Sequence, residues 1–221
     1  MIKKALIAAN GYIQSKSKIK NLQNAGYNFL VGVDGGNNYL SKLGLIPDLA
    51  IGDFDSINPS LLKKLESKTK VIHLKRQNDT DVEKALKYLI KNNFTDVILL
   101  GGTGDRLDHS IANIGFVLKY FDKIRISIIH YNSILIPLTG KVELNCSKNE
   151  IISLYTFSPE TIVSSQGLKY KLNKTSLMIG KKDSTSNIAT ATKVKLNIEN
   201  GVVCVVRNLR MVLQNGFIQQ S

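Results

Sequence analysis

The sequence predicts two domains, an α/β domain doubly wound around a mostly parallel sheet and then an all-β domain of sandwich-like type. Three observations carry this. Apolar runs at 5–8, 29–33, 49–51, 71–74 and 97–100 are continuous rather than alternating, as parallel strands covered on both faces require. Amphipathic helical periods lie between those runs. After about residue 122 the helical period disappears, and short strand-like runs follow one another with turn residues between them. The expected domains are therefore 1–121 and 122–221.

Each element has its own signal. Lys3-Lys4 ahead of Ala5-Leu6-Ile7 superficially suggests a signal segment. The run breaks at Asn10-Gly11 with no small-residue cleavage pattern, so it reads as the first strand. Asn58-Pro59 has the form of an N-cap followed by proline at the first helical position. Thr80-Asp81-Val82-Glu83 is a capping box, in which Thr80 and Glu83 would satisfy the first backbone donors of a helix. In that helix Val82, Ala85, Leu86, Leu89 and Ile90 share a face, with Lys84, Lys87 and Lys91 directed outward. A later helix runs from Asp108 through Ile111, Ile114, Val117 and Leu118 to Phe121. Strands are then expected at 124–131, 133–138, 151–157, 161–165, 194–198 and 202–206. The last two flank Glu199-Asn200-Gly201, a hairpin signal.

The 221 residues, 43% hydrophobic and 21% charged, suit a soluble globular protein with room for two cores. No apolar run approaches the roughly 18 residues of a membrane span, and a cytoplasmic protein with no membrane partner is expected. Cys146 and Cys204 stand apart among strand-like residues, which suits buried free thiols. A net charge of +13 raises nucleic acid as a partner. The lysines are spread along the chain, and no aromatic-plus-Arg run is present, so no specific nucleic-acid partner is expected. Two other accounts of the charge stand beside it: a lysine-rich genome-wide composition and a general attraction for polyphosphate substrates.

The acidic residues are informative through their positions. Asp34 follows the 29–33 run, in Val33-Asp34-Gly35-Gly36. Asp53 and Asp55 follow 49–51, in Gly52-Asp53-Phe54-Asp55-Ser56. Asp79 and Asp81 follow 71–74, and Asp105 and Asp108 follow 97–100, after Gly101-Gly102-Thr103-Gly104. If the strands are parallel, all these loops lie at the carboxyl edge of one sheet, where open α/β folds bind ligands. Carboxylates brought together there repel one another unless a cation such as Mg²⁺ fills the site with phosphate oxygens. The glycines would let backbone N–H groups approach a phosphate. Capping accounts for Asp81 and Asp108 taken singly, but not for Asp53 and Asp55 two apart, nor for Arg106 beside Asp108. The Asp-x-Asp after a strand also resembles phosphatases with an aspartyl nucleophile. That motif normally sits on the first strand and would leave Thr80-Asp81 and Arg106–Asp108 without a role.

At these residues the chain resembles the thiamine pyrophosphokinase family. The matching segments are Asp34-Gly35-Gly36, Gly52-Asp53-Phe54-Asp55-Ser56, Thr80-Asp81 with Glu83-Lys84-Ala85-Leu86, Gly101-Gly102-Thr103-Gly104 with Arg106-Leu107-Asp108-His109, and Asn113. Gly167-Leu168-Lys169-Tyr170-Lys171-Leu172 and Ser186-Asn187 match in the second half. The resemblance implies ATP and thiamine as substrates, an ATP-binding α/β domain, a thiamine-binding β domain and a homodimer with thiamine at its interface. The implied reaction is attack of the thiamine hydroxyl on the β-phosphorus of ATP. By the same analogy Asp53, Asp55, Asp81 and Asp108 would hold Mg²⁺, and Arg106 would stabilise phosphoryl charge. Gln77 and Thr80 would position thiamine or phosphate, and Asn10 would approach phosphate. Asp34, Gly35, Gly36, Ser56, Gly102, Thr103, Gly104 and His109 would complete the nucleotide side. Tyr170, Ser186 and Asn187 would meet thiamine. The rivals at this stage are a pyrophosphokinase for another acceptor, such as a pterin alcohol, and a nucleotide- or thiamine-binding regulator without turnover.

Overall fold

The computed structural model describes residues 2–74 and 79–216. The chain divides into two compact units, 1–131 and 132–221.

In the first unit β1 (Lys3–Ala8) is central, pairing in parallel with β2 (Phe29–Val33) on one side and β5 (Phe94–Leu100) on the other. The sheet continues through β3 (Leu49–Gly52) to β4 (Lys70–His73) beyond β2, and through β6 (Arg125–His130) beyond β5, all parallel. The order β6-β5-β1-β2-β3-β4 reverses direction at β1, so the chain is doubly wound and its switch point lies between β1 and β5. Ala5, Leu6, Ile7 and Ala8 are fully buried, the reason the run is apolar without alternation. Residues 124–131, grouped by sequence with the β domain, instead complete this sheet: Ile126 pairs with Val97 and Ile128 with Leu99.

The helices of this unit are α1 (Lys16–Asn24), α2 (Gly36–Lys42), α3 (Pro59–Glu66), α4 (Asp81–Lys91) and α5 (Leu107–Lys119). Asn58 caps α3 by accepting from the Ser60 N–H at 2.9 Å, with Pro59 in the first turn. Only half of the capping box of α4 forms. Thr80 Oγ1 accepts from the Glu83 N–H at 3.2 Å, while the Glu83 carboxylate turns away to Lys119 and Tyr120 at the end of α5. Lys84, expected outward, is buried because Asp81 accepts from its Nζ at 2.9 Å. On α5, Ile111 is exposed, whereas Ser110 and Asn113 face inward. The first part of that face is polar because it clamps a loop, with Phe116 and Val117 buried further along: Asn113 Nδ2 donates to the Gly102 carbonyl at 2.6 Å, and Ser110 Oγ accepts from the Gly104 N–H at 3.2 Å.

The second unit contains β7 (Ser133–Asn145), β8 (Ile151–Thr156), β9 (Ile162–Gln166), β10 (Thr175–Ser176), β11 (Ser184–Ile188) and β12 (Lys193–Asn208). β12 runs antiparallel to β7 along its length. On its other edge it pairs with β9 through its first half and β8 through its second. The hairpin expected at Glu199-Asn200-Gly201 is absent. Those residues form an irregularity inside one long strand, with φ +57° at Asn200 and +150° at Gly201. The same tolerance of positive φ that favours a tight turn here permits a bulge. A short helix, α6 (Leu209–Asn215), follows β12, capped by Asn208 accepting from the Arg210 N–H. The expected all-β composition therefore needs this one correction.

Candidate functional site

The carboxyl edge of the parallel sheet gathers the acidic loops. Ligand oxygens of Asp34, Asp53 and Asp81 lie within 4.8 Å of one another, although the residues come from three different strand–helix connections. Local backbone makes this possible. Asp34 adopts φ +42°, and Gly52 at φ +153° passes so close that a Cβ there would stand 3.2 Å from the Asp34 Cβ. Phe54 also takes a left-handed conformation, φ +61°, unusual for a bulky side chain. Its ring is buried in a cluster with Ala50, Ile57 and Leu65 and stands T-shaped to His73, with centroids 5.4 Å apart. This turn leaves Asp53 and Asp55 side by side, the Asp55 N–H donating to Asp53 Oδ1 at 3.3 Å.

Burial pushes the Asp34 carboxyl upward, and the neighbouring Asp55 charge adds to this. Backbone N–H groups of Gly35 and Ser56 and the Ser56 hydroxyl oppose the rise. The Ser56 N–H donates to Asp34 Oδ1 at 3.4 Å. An all-carboxylate oxygen set suits a hard divalent cation. Opposite ligands of Mg²⁺ stand roughly 4.2 Å apart, given metal–oxygen distances of about 2.1 Å. Adjacent ligands stand about 3.0 Å apart, so side-chain rotation would draw three carboxylate oxygens already within 4.8 Å of one another around such an ion.

Asp34, expected on the nucleotide side, is thus a member of the carboxylate group. Asp55 and Asp108, expected as ligands, stand outside it. Asp108 instead forms a bidentate pair with Arg106, Nε to Oδ1 at 2.9 Å and Nη2 to Oδ2 at 2.6 Å, on an exposed surface. The guanidinium holds the Asp108 carboxyl well below the usual range, and the Arg106 pKa is raised in return. Lys84 was not anticipated at the site. It neutralises Asp81 from a buried position; its sequence signals are the spacing i, i+3 and its place in the matching segment Glu83-Lys84-Ala85-Leu86.

The glycines act mainly through packing. A Cβ on Gly36 would meet the Ala8 carbonyl oxygen at 2.0 Å, and one on Gly35 would meet Asn10 Oδ1 at 2.3 Å. The Gly11 N–H donates to the Gly101 carbonyl at 2.9 Å, closing the two switch-point loops together. Thr103 Oγ1 lies 2.8 Å from His130 Nδ1, and His109 is exposed in the first turn of α5. Thr80 is committed to capping, as described. Gln77 lies outside the described residues.

In the second unit Tyr170 is 61% exposed, with Lys169 Nζ 5.5 Å from its ring centroid. Ser186, at φ +55°, is exposed and donates its N–H to Ser153 Oγ. Asn187 is buried, and its side-chain amide is occupied within the protein. Oδ1 accepts from the N–H groups of Tyr170 and Ile188, while Nδ2 donates to the Tyr170 carbonyl and to Ser184 Oγ. An amide has two donors and two acceptor sites, so none remains for a ligand.

A doubly wound unit with a carboxylate cluster suited to a hard cation at the carboxyl edge of its sheet, followed in sequence by an antiparallel β unit, defines the class of protein. Comparison with known proteins places the chain within that class. The model of the thiamin pyrophosphokinase catalytic domain matches residues 21–129, and that of the thiamin pyrophosphokinase vitamin B1 binding domain matches 135–203. Thiamin pyrophosphokinase 1 of Caenorhabditis elegans is 30% identical over 79% of this chain and 77% of its own. The Bacillus subtilis thiamine pyrophosphokinase is 28% identical over 80% and 86%. A crystal structure of the Bacillus subtilis enzyme superposes with TM-score 0.78 at 26% identity, covering 93% of this chain and 99% of that one. The chain belongs to the thiamine pyrophosphokinase family.

Proposed function

We propose that this chain is a thiamine diphosphokinase, transferring the pyrophosphoryl group of ATP to the hydroxyl of thiamine and releasing AMP. The observation that carries the proposal is the meeting of Asp34, Asp53 and Asp81 at the carboxyl edge of the parallel sheet, inside the segment matching the family's catalytic domain. Asp34, Asp53 and Asp81 would hold Mg²⁺, with Asp55 alongside. Bound there, the ion supplies charge neutralisation to the phosphate oxygens.

The protein's own part is positioning and electrostatics, because a loose phosphoryl transition state asks for little covalent chemistry. Arg106 offers its guanidinium to the transferring group, and Asp108 acts through Arg106 by holding it in a bidentate grip. Glycine-loop N–H groups and Asn10 approach the phosphates, and α5 fixes the loop through Asn113. Tyr170 presents a π face to the cationic thiamine ring. Its face already attracts the Lys169 ammonium, which thiamine would displace. Ser186, next in the chain to Asn187, would supply thiamine a polar contact. Asn187 is a positioning residue, and a homodimer brings Tyr170 of one subunit to the phosphates of the other. The two thiols fit a reducing cytoplasm: both are free, and burial pushes Cys204 up to about 12.

The test is incubation with ATP, Mg²⁺ and thiamine, with analysis for thiamine diphosphate and AMP. ADP as product, or AMP release that does not depend on thiamine, would overturn the proposal. A pterin alcohol serves as the control acceptor.

A further inference from the structure

Past the glycine loops, the carboxyl edge of the first unit carries a feature that the phosphate chemistry does not use. Tyr12, just after β1, and Tyr131, just after β6, stack with ring centroids 4.2 Å apart and planes 18° from parallel. The rings remain open to solvent, Tyr12 at 44% and Tyr131 at 53%.

Their surroundings are built rather than incidental. His130 stands edge-on to Tyr131, with centroids 4.6 Å apart, and its Nδ1 is tied to Thr103 of the glycine loop. Tyr131 holds φ +48°, a conformation that neighbouring structure must impose on a bulky residue. Its carbonyl accepts from Gln14 Nε2 at 3.4 Å. Gln14 is fully buried, and its Oε1 has no partner among the described residues.

We propose that the Tyr12–Tyr131 pair is the platform on which the purine base of the nucleotide stacks. The inference rests on the ATP reading above and assigns the base a place that reading leaves open. Along the edge, Asp34 follows β2 and Asp53 follows β3, Gly11 and Gly101 meet where β1 lies beside β5, and Tyr131 follows β6. With strands about 4.8 Å apart, the three spacings from β2 to β6 amount to roughly 14 Å. That matches the reach of an extended nucleoside triphosphate, with its γ end at the carboxylates and its base at the tyrosines. Stacking on an aromatic face is a common way to hold a base, and it leaves the phosphates free for the metal.

The test is calorimetric titration of the full-length protein with ATP and with inorganic tripolyphosphate, both with Mg²⁺. Tyr12→Ala is expected to weaken ATP binding about tenfold and to leave tripolyphosphate binding unchanged, while Tyr12→Phe retains both. Unchanged tripolyphosphate binding also shows that the variant is folded. Equal losses for the two ligands, or no loss for ATP, would overturn the platform. So would an altered sedimentation mass with ATP affinity intact, which would make the pair a protein contact. Wild-type protein that binds both ligands equally would sink the platform alone. Wild-type protein that binds ATP tightly but yields no AMP with thiamine would sink only the pyrophosphokinase reading.

Discussion

The side-chain amide of Asn187 grips both backbone polar groups of Tyr170, accepting from its N–H at 3.0 Å and donating to its carbonyl at 2.8 Å. A buried residue thereby fixes the chain direction of an exposed aromatic. Asn187→Ala is expected to raise the thiamine KM about tenfold and to cost about 2 kcal/mol of stability, with the KM for ATP unchanged. Asn187→Asp would set a buried carboxylate against the Tyr170 carbonyl oxygen and should cost more stability than Asn187→Ala. Kinetics with each substrate varied in turn would check this; an equal rise in both KM values would contradict it.

Asp53→Asn is expected to abolish AMP formation while leaving the melting temperature within a few degrees of wild type. Asp53 is partly exposed and, among the described residues, makes one long hydrogen bond, to the Asp55 N–H, so its loss removes little folding energy. Asp34→Asn should likewise lose Mg²⁺-dependent activity. It should also stabilise the metal-free protein at neutral pH, because burial disfavours the charged Asp34 carboxylate. Chemical unfolding with and without Mg²⁺ separates these effects.

Glu83 joins α4 to α5, accepting from Lys119 Nζ at 2.6 Å and from the Tyr120 hydroxyl at 2.5 Å. Burial works against its charge, but these two donors and the charges of Lys119 and Lys87 hold its carboxyl below the usual range. A depressed folded-state pKa contributes stability above the unfolded value and loses it as pH falls through the folded one. Glu83→Gln should therefore cost about 2 kcal/mol at neutral pH. The difference should shrink as pH falls from about 4.3 through the depressed value. Urea unfolding across that range is the measurement.

Arg207 and Glu150 form an ion pair with side chains 0% and 1% exposed, at 2.8 Å. Arg207 Nη1 has no partner among the described residues, and Nη2 reaches the Asn145 carbonyl. Glu150→Ala leaves a buried, uncompensated guanidinium and should cost about 3–5 kcal/mol. Replacing both, as Arg207→Met with Glu150→Leu, should cost less than the single change. A double variant weaker than Glu150→Ala would show the pair to be stabilising in its own right.

Period and punctuation made much of the fold legible. The strands through 97–100 were readable because burial on both faces demands unbroken apolar runs, and α3 and α4 because their caps are local. The reading failed where one local preference serves two structures. Asn200-Gly201 supplies positive φ to a bulge as readily as to a hairpin, and only the pairing of β12 along β7 decides between them. Residues 124–131 read as a strand without declaring their sheet. The buried face of α5 keeps the expected Val117 but begins with polar Ser110 and Asn113, which clamp the 101–104 loop.

By itself the sequence determined that carboxylates follow parallel strands, and hence that they share one edge. Which of them meet was decided by tertiary structure alone. Asp34 joins Asp53 and Asp81 because Gly52 passes close over it, while Asp108 turns to Arg106. Strand order and backbone approach set those distances, and both arise from pairings between segments far apart in the chain. The stacking of Tyr12 on Tyr131 has the same origin, since β1 and β6 are brought to one edge only by the sheet they share.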